Sequence, residues 1–304
     1  MIVVTHESCC DYRTPGHPDK PARVRRAITR LRAEPEGSLG WETASLASVA
    51  QAARAHQASM LARLEEPAPF DPDTPSHPDI QRHALQAAGG AILAMRCALA
   101  GQPAFSLLRP PGHHATPERS MGFCYLNNLA IAVLEALASS VAKVAVLDFD
   151  VHHGNGTEEI MFERPGCLFC SVHEFPGYPG TGCQSRGNCL NFPQAHRTPR
   201  ATYRRALEDA LDRIAEFDPA LIAVSAGFDA YRGDPLGHQL LEAEDFFWLG
   251  SSLRQIRRPF FSSLEGGYSA DLPDLIRHYL AGCAGWPVPR EADPPSDPRS
   301  EMGT

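Results

Sequence analysis

The chain has 304 residues, a formal net charge of −8, 43% hydrophobic residues and 21% charged ones. That length holds one large α/β domain or two smaller ones and buries a sizeable core either way. The acidic balance and the lack of a Lys/Arg cluster exclude a polyanion groove, so no nucleic-acid partner is expected; the acidity suits a cationic substrate and ordinary solubility equally.

Met1–His6 lacks the basic flank and long hydrophobic core of a signal peptide, and no later apolar run reaches the length of a membrane span. A soluble, cytoplasmic chain without a membrane partner is the expectation. Nine cysteines are an odd count, and Cys97, Cys124, Cys167 and Cys170 lie in apolar surroundings, as free buried thiols do. Cys167-x-x-Cys170 sits in an apparent strand that puts its side chains on opposite faces, and no second pair follows at zinc-ribbon spacing, so it reads as core packing.

In chain order, Ile2–Thr5 reads as a strand, Glu7–Pro21 as a polar loop in which a lone His17 is expected to be solvated, and Ala22–Ala33 as a basic helix. Ser45–Glu66 is Ala-rich with helical spacing, and a Pro-rich loop follows to Pro78. Asp79–Ala100 reads as a helix ended by Gly101, and Ala104–Leu108 as the next strand. Its exit, Arg109-Pro-Pro-Gly-His-His-Ala115, carries adjacent histidines, and Gly122–Asn128 leads into a helix through Ala138.

Val144–Gly156, VAVLDFDVHHGNG, starts as a buried parallel strand and ends in a tight turn. If it stays extended that far, Asp148, Asp150 and His152 share one face. Further on, Thr157–Phe162 reads as a short helix, Cys167–His173 as a strand, Leu190–Pro193 as a short segment and Thr202–Phe217 as an amphipathic helix. Ala220–Val224 is a strand that exits toward Asp229, Glu244–Ile256 a helix, and Pro259–Leu264 a strand that exits through Glu265-Gly-Gly-Tyr268. No repeat period is visible. The alternation predicts an α/β fold with a single parallel sheet flanked by helices, and it places His113/His114, Asp148–His153, Asp229 and Tyr268 at the C-terminal ends of its strands.

Several ionisable groups at a buried strand end are costly unless paired or metal-bound. Asp150, His152 and Asp229 offer three ligands and leave a fourth position open, as a catalytic zinc or similar transition metal requires. Two carboxylates make such an ion less acidic than three imidazoles do, so a separate base is useful. His113 and His114 are the candidates, with Asp148 and Asn155 available to orient them, and Tyr268 can donate to a developing oxyanion.

RPPGHHA, GFCYLNN, DFDVHHGNG, PGYPGTG, SAGFDAYRGDPLG and LEGGY, in this order, resemble the histone-deacetylase superfamily of zinc amidohydrolases, which shares the arginase fold. Asn155 and Leu264-Glu265 look like its class II branch and bacterial relatives. The resemblance implies a catalytic domain over residues 1–285, and the Pro-rich, polar composition from Trp286 onward reads as a mobile tail over 286–304. It implies Asp150, His152 and Asp229 as ligands of Zn2+, His113 in an electrostatic or acid role, His114 as general base, and Tyr268 polarising the substrate carbonyl. Asp148, besides backing His113, is implied with Ser171 and the backbone oxygens of Asp150, His152 and Val172 in a structural monovalent-cation site, usually K+. Gly122, Phe123 and Tyr178 are implied as walls of a substrate tunnel, and Leu236 as a rim residue.

The implied activity is hydrolysis of an acyl group, typically acetyl, from a lysine-like amine in a protein or peptide. An acetylpolyamine or other small acylated amine is the alternative substrate. Leu236 offers no charge to a second ammonium, although Glu118 or a carboxylate within Asp71–Asp79 could take that role. Two departures bear on the rim: Gly182–Leu190 lacks much of a Gly-rich loop, and Asp19 stands where Glu is common. A non-catalytic acyl-ligand binder is a further alternative, as is a manganese ureohydrolase, which needs more bridging ligands than these exits supply.

Overall fold

Apolar runs rich in Val, Ile, Leu, Ala and Phe supply the strands of one parallel sheet in the computed structural model, which describes residues 1–35 and 39–289. The strands are β1 (Ile2–Thr5), β2 (Gly40–Thr43), β3 (Ala104–Ser106), β4 (Val144–Asp148), β5 (Cys167–Glu174), β6 (Cys189–Gln194), β7 (Leu221–Ala226) and β8 (Phe260–Leu264). Their order across the sheet is β2-β1-β3-β8-β7-β4-β5-β6, and every pairing is parallel. The five strands β3, β4, β5, β7 and β8 are buried along their whole length, which is why each opens on consecutive apolar residues rather than on alternating ones.

The helices are α1 (Ala22–Arg32), α2 (Val49–Ala52), α3 (Ala58–Arg63), α4 (Ile80–Leu99), α5 (Asn128–Ala138), α6 (Asn155–Met161), α7 (Arg200–Phe217), α8 (Ala243–Gln255) and α9 (Leu272–Ala284). The helices α4, α5 and α6 form one packed group against the sheet; α7, α8, α9 and α1 form another, so that apolar strand faces find cover. The register sets Asp148 of β4 beside Ser171 of β5 and Ser225 of β7, so the polar ends of three neighbouring strands fall in line.

Several expectations need correcting. The strand expected to carry Asp148, Asp150 and His152 on one face stops at Asp148, and the two ligand candidates lie on the turn beyond it. Ser45–Glu66 is two short helices rather than one: Ser48 starts α2 with a reciprocal capping box to Gln51, and the chain leaves the helix before His56. The loop Glu7–Pro21 contains a 3₁₀ turn over Glu7–Cys10. β2 and α9 match no element expected from the sequence. Residues 290–304 of the expected tail lie outside the described residues.

Candidate active site

The turn after β4 is built by its own carboxylates. Asp148 Oδ1 accepts the Asp150 N–H at 3.1 Å, and Asp150 Oδ1 accepts the His152 N–H at 2.9 Å, so each aspartate caps the amide two residues on and bends the chain out of the strand. Asp150 Oδ2 also accepts the Gly266 N–H at 2.7 Å, and Asp229 Oδ1 accepts the Val151 N–H at 2.8 Å, so Asp150 is fixed from the exit of β8 and Asp229, at the exit of β7, from the turn after β4. Glycine is required beside them. A Cβ on Gly227 would lie 2.1 Å from Asp150 Oδ2, and one on Gly266 would lie 2.1 Å from Asp229 Oδ2.

Asp150 Oδ1 and the remaining oxygen of Asp229 converge on one imidazole nitrogen: His152 Nδ1 is 3.1 Å from Asp150 Oδ1 and 3.2 Å from Asp229 Oδ2. Both aspartates are fully buried, whereas His152 is open to the cavity on one side. Burial and the neighbouring Asp150 carboxylate push Asp229 up to about 7. Burial works against a charge on His152 too, but the two carboxylates outweigh it and raise its pKa. Two acids and one base crowded this closely hold more negative charge than they can neutralise, and an O, N, O donor set of this kind fits a bound divalent transition metal.

Beside this cluster the loop after β3 lays down the paired histidines. Its amides at Gly112 and His113 donate to Glu265 Oε2 at 2.6 and 3.1 Å, so a buried carboxylate from the exit of β8 anchors the loop. His113 Nδ1 lies 3.1 Å from Asp148 Oδ2, and His114 Nδ1 lies 2.9 Å from Asn155 Oδ1 at the start of α6. The amide oxygen of Asn155 is an acceptor only, so His114 carries its proton on Nδ1 and leaves Nε2 as an acceptor. The ring centroids are 3.9 Å apart, yet the two imidazoles are driven in opposite directions. Burial opposes a charge on His113, but Asp150 and Asp148 outweigh it and raise its pKa to about 10. Burial lowers His114 well below the ordinary value, and the neighbouring cationic His113 and His152 lower it further.

Above these groups is a cavity of about 300 Å3 whose wall includes Gly122, Phe123, Tyr178, Leu236 and Tyr268. Tyr178 stands edge-on to His114 at 5.0 Å between centroids, and Phe123 edge-on to Tyr268 at 5.8 Å. Tyr268 is placed by its backbone N–H, which donates to Asp234 Oδ2 at 2.6 Å, and by the Arg23 guanidinium over its ring at 4.5 Å. Burial holds its phenol well above the ordinary range, so it remains a donor.

Every residue named from the sequence as catalytic, zinc ligand or tunnel wall therefore lies in or directly behind one cavity. His153 lies outside it: its ring bridges Thr181 and Glu158 at 2.7 and 2.9 Å. Asp148 and Ser171 are adjacent in register, with the Ser171 hydroxyl 2.8 Å from His173 Nδ1 and the Val172 carbonyl accepting from Tyr203 at 3.2 Å. The expectation for His17 needs correction. It lines the cavity with Pro18 and Asp73, packs edge-on against Phe123 at 4.5 Å, and its Nε2 lies 3.0 Å from the Asp73 carbonyl. Asp73 was one of a span of candidate carboxylates, and the structure puts it, not Glu118, at the cavity mouth.

Residues 17–282 match the family described as the histone deacetylase domain. The chain belongs to that family. It is 37% identical to a probable deacetylase of Methanothermobacter thermautotrophicus over 89% of this chain and 86% of that one. It is also 36% identical to an acetylpolyamine amidohydrolase of Mycoplana ramosa, over 70% of this chain and 66% of the relative. Among solved structures, the HDA15 HD domain superposes with a TM-score of 0.87 at 28% identity, covering 97% of this chain and 92% of that one. The single parallel sheet flanked by helices is thus the histone deacetylase fold, and the family's chemistry is hydrolysis of amides.

Proposed function

We propose that the chain is a zinc-dependent deacylase that removes an acetyl or similar acyl group from the end of a slender alkylamine, such as an acylated lysine side chain. The observation that carries this reading is the convergence of Asp150, His152 and Asp229 at the floor of an aromatic-walled cavity, next to two histidines oriented by Asp148 and by Asn155. A zinc ion held by those three residues supplies the Lewis acidity that polarises the amide carbonyl and acidifies a water.

The chain's own groups do the rest. His114 Nε2 accepts a proton from the attacking water, since Asn155 keeps the other nitrogen protonated. Cationic His113, backed by Asp148, offsets negative charge that develops beside it. Tyr268 donates its phenolic hydrogen to the carbonyl oxygen as that oxygen gains charge. The proton collected at His114 Nε2 then passes to the leaving amine nitrogen as the C–N bond breaks. Phe123 and Tyr178 confine an alkyl chain and exclude water around it.

Asp73 at the mouth favours a second reading, in which a small acylated polyamine places its distal ammonium near that carboxylate. Asp73 is exposed, so the attraction is screened, and the acyl-lysine reading leads. Turnover of the zinc-loaded chain on acetyl-lysine peptides, longer acyl-lysines and acetylpolyamines tests both. Hydrolysis of the peptides above the polyamines supports the first, the reverse order supports the second, and no turnover with any amide overturns both.

A further inference from the structure

A second cluster of ligand chemistry sits outside the catalytic cavity, where the exits of β5, β6 and β7 meet solvent. Glu174 closes β5 and is buried, His196 follows β6, and His238 lies on the loop after β7 that also carries Leu236. Both imidazoles point their Nδ1 at the same carboxylate oxygen: His196 and His238 each lie 2.9 Å from Glu174 Oε1. The rings stand edge-on at 4.9 Å, and their side chains are 49% and 61% exposed, so a solvent ion can reach them. The other carboxylate oxygen is already committed. Gln239 Nε2 donates to Glu174 Oε2 at 2.7 Å and to the Ala195 carbonyl at 2.9 Å, which orients the acid and ties the two histidine-bearing loops together.

Ligand atoms of a tetrahedral zinc lie about 2.0–2.1 Å from the ion and hence about 3.3 Å from one another. Each imidazole nitrogen needs to part from Glu174 Oε1 by only a few tenths of an ångström to reach that spacing, and the ligand atoms of the three residues lie within 4.8 Å of one another. We propose that these three residues form a second, peripheral site for a divalent transition metal of the zinc class, with water completing its coordination. An imidazole–carboxylate set selects such ions over Mg2+ or Ca2+, which prefer oxygen alone. Gln239 serves as the outer hydrogen-bond partner that keeps the carboxylate aimed at the ion. Because the two histidines are exposed and movable, the site binds more weakly than the buried Asp150–His152–Asp229 set. Occupancy fastens the loop that carries Leu236, a wall residue of the cavity, to the ends of β5 and β6.

Zn2+ binding to the full chain, followed by equilibrium dialysis with metal analysis, tests the site. The expected result is two equivalents per chain of unequal affinity, with the weaker one lost in a His196→Ala/His238→Ala variant that keeps the tighter one and its turnover. The reciprocal Asp229→Asn variant is expected to lose the tighter equivalent and keep the weaker, which separates this site from the catalytic one. Amide hydrogen exchange on the unmutated chain gives an answer that needs no variant to fold: residues 195–198 and 236–241 should slow as the second equivalent binds. A single equivalent throughout the titration, a second equivalent retained by the double variant, or unchanged exchange in those segments overturns the proposal.

Discussion

Asn155 sets the character of His114 because an amide oxygen orients the imidazole without adding charge. A carboxylate at the same 2.9 Å contact would stabilise the imidazolium and raise its pKa, on the order of one to three units for a close opposite charge. A base must be unprotonated to act, so the acid limb of kcat/KM marks where it loses its proton. Asn155→Asp is therefore expected to move that limb to higher pH and to depress activity most below neutrality; a limb that stays in place removes His114 from the base role. Tyr268→Phe removes one oxyanion donor while keeping the ring between Arg23 and Phe123. It should lower kcat by about 10²-fold with KM little changed, as measured by steady-state kinetics. These residues could be picked out in the sequence because carboxylates and imidazoles stand together at strand ends. His17 could not, since a single loop histidine has no partner within its own segment, and its contacts to Asp73 and Phe123 arise only when distant loops meet.

The short elements α2 and α3 matter to the site through the histidine between them. His56 Nδ1 lies 2.9 Å from the Thr116 carbonyl, two residues beyond His114, and Nε2 accepts at 2.9 Å the N–H of Asn127, the residue that caps α5. Both bonds require a neutral ring with its proton on Nδ1. Burial pulls its pKa down to about 4, while the Thr116 carbonyl opposes that only partly. The unfolded chain takes up this proton near the ordinary histidine value of 6.5 and the folded chain only near 4, so the stabilisation is complete above 6.5 and is lost as pH falls toward 4. The loss amounts to about 3 kcal/mol from this group. Urea unfolding from pH 7 to 4 should show the decline, and His56→Gln should flatten it; parallel slopes in the two proteins would put the pH dependence elsewhere. None of this was visible in the Ala-rich pattern of Ser45–Glu66, where helical spacing runs on through a break that tertiary contacts impose. β2 escaped notice for a related reason: Gly40–Thr43 is a half-exposed edge strand without the apolar run that marks β4 or β7. By contrast the buried strands and α4 announce themselves, because burial on both faces, or along a long helix, leaves a sequence dense in apolar residues.

Across the whole molecule, strand order cannot be read from chain order, since β8 sits between β3 and β7 and carries Glu265 and Tyr268 to loops that come far earlier in the sequence. A buried charge network joins these distant parts. Arg109 at the exit of β3 donates from Nε to Asp19 Oδ1 at 2.7 Å and from its two terminal nitrogens to the carbonyls of Cys9 and Asp19. Arg23 of α1 donates to the same Asp19 oxygen at 2.7 Å and reaches the carbonyls of Glu265 and Gly267 at 2.6 and 2.7 Å. One carboxylate thus serves two buried guanidiniums. Burial disfavours its charge, but both arginines outweigh burial and hold Asp19 well below the usual carboxylate range. The Glu265-Gly-Gly-Tyr268 turn is positioned by one of those arginines, and the other steadies the loop that carries His113 and His114. Asp19→Asn keeps the shape and removes the charge, leaving two buried cations with only neutral acceptors, a change that typically costs about 3–5 kcal/mol. Guanidinium unfolding should register that loss. kcat should fall as well, because Tyr268 rests on Arg23. A variant that loses the stability and keeps kcat would show that the network holds the fold without setting the position of the tyrosine.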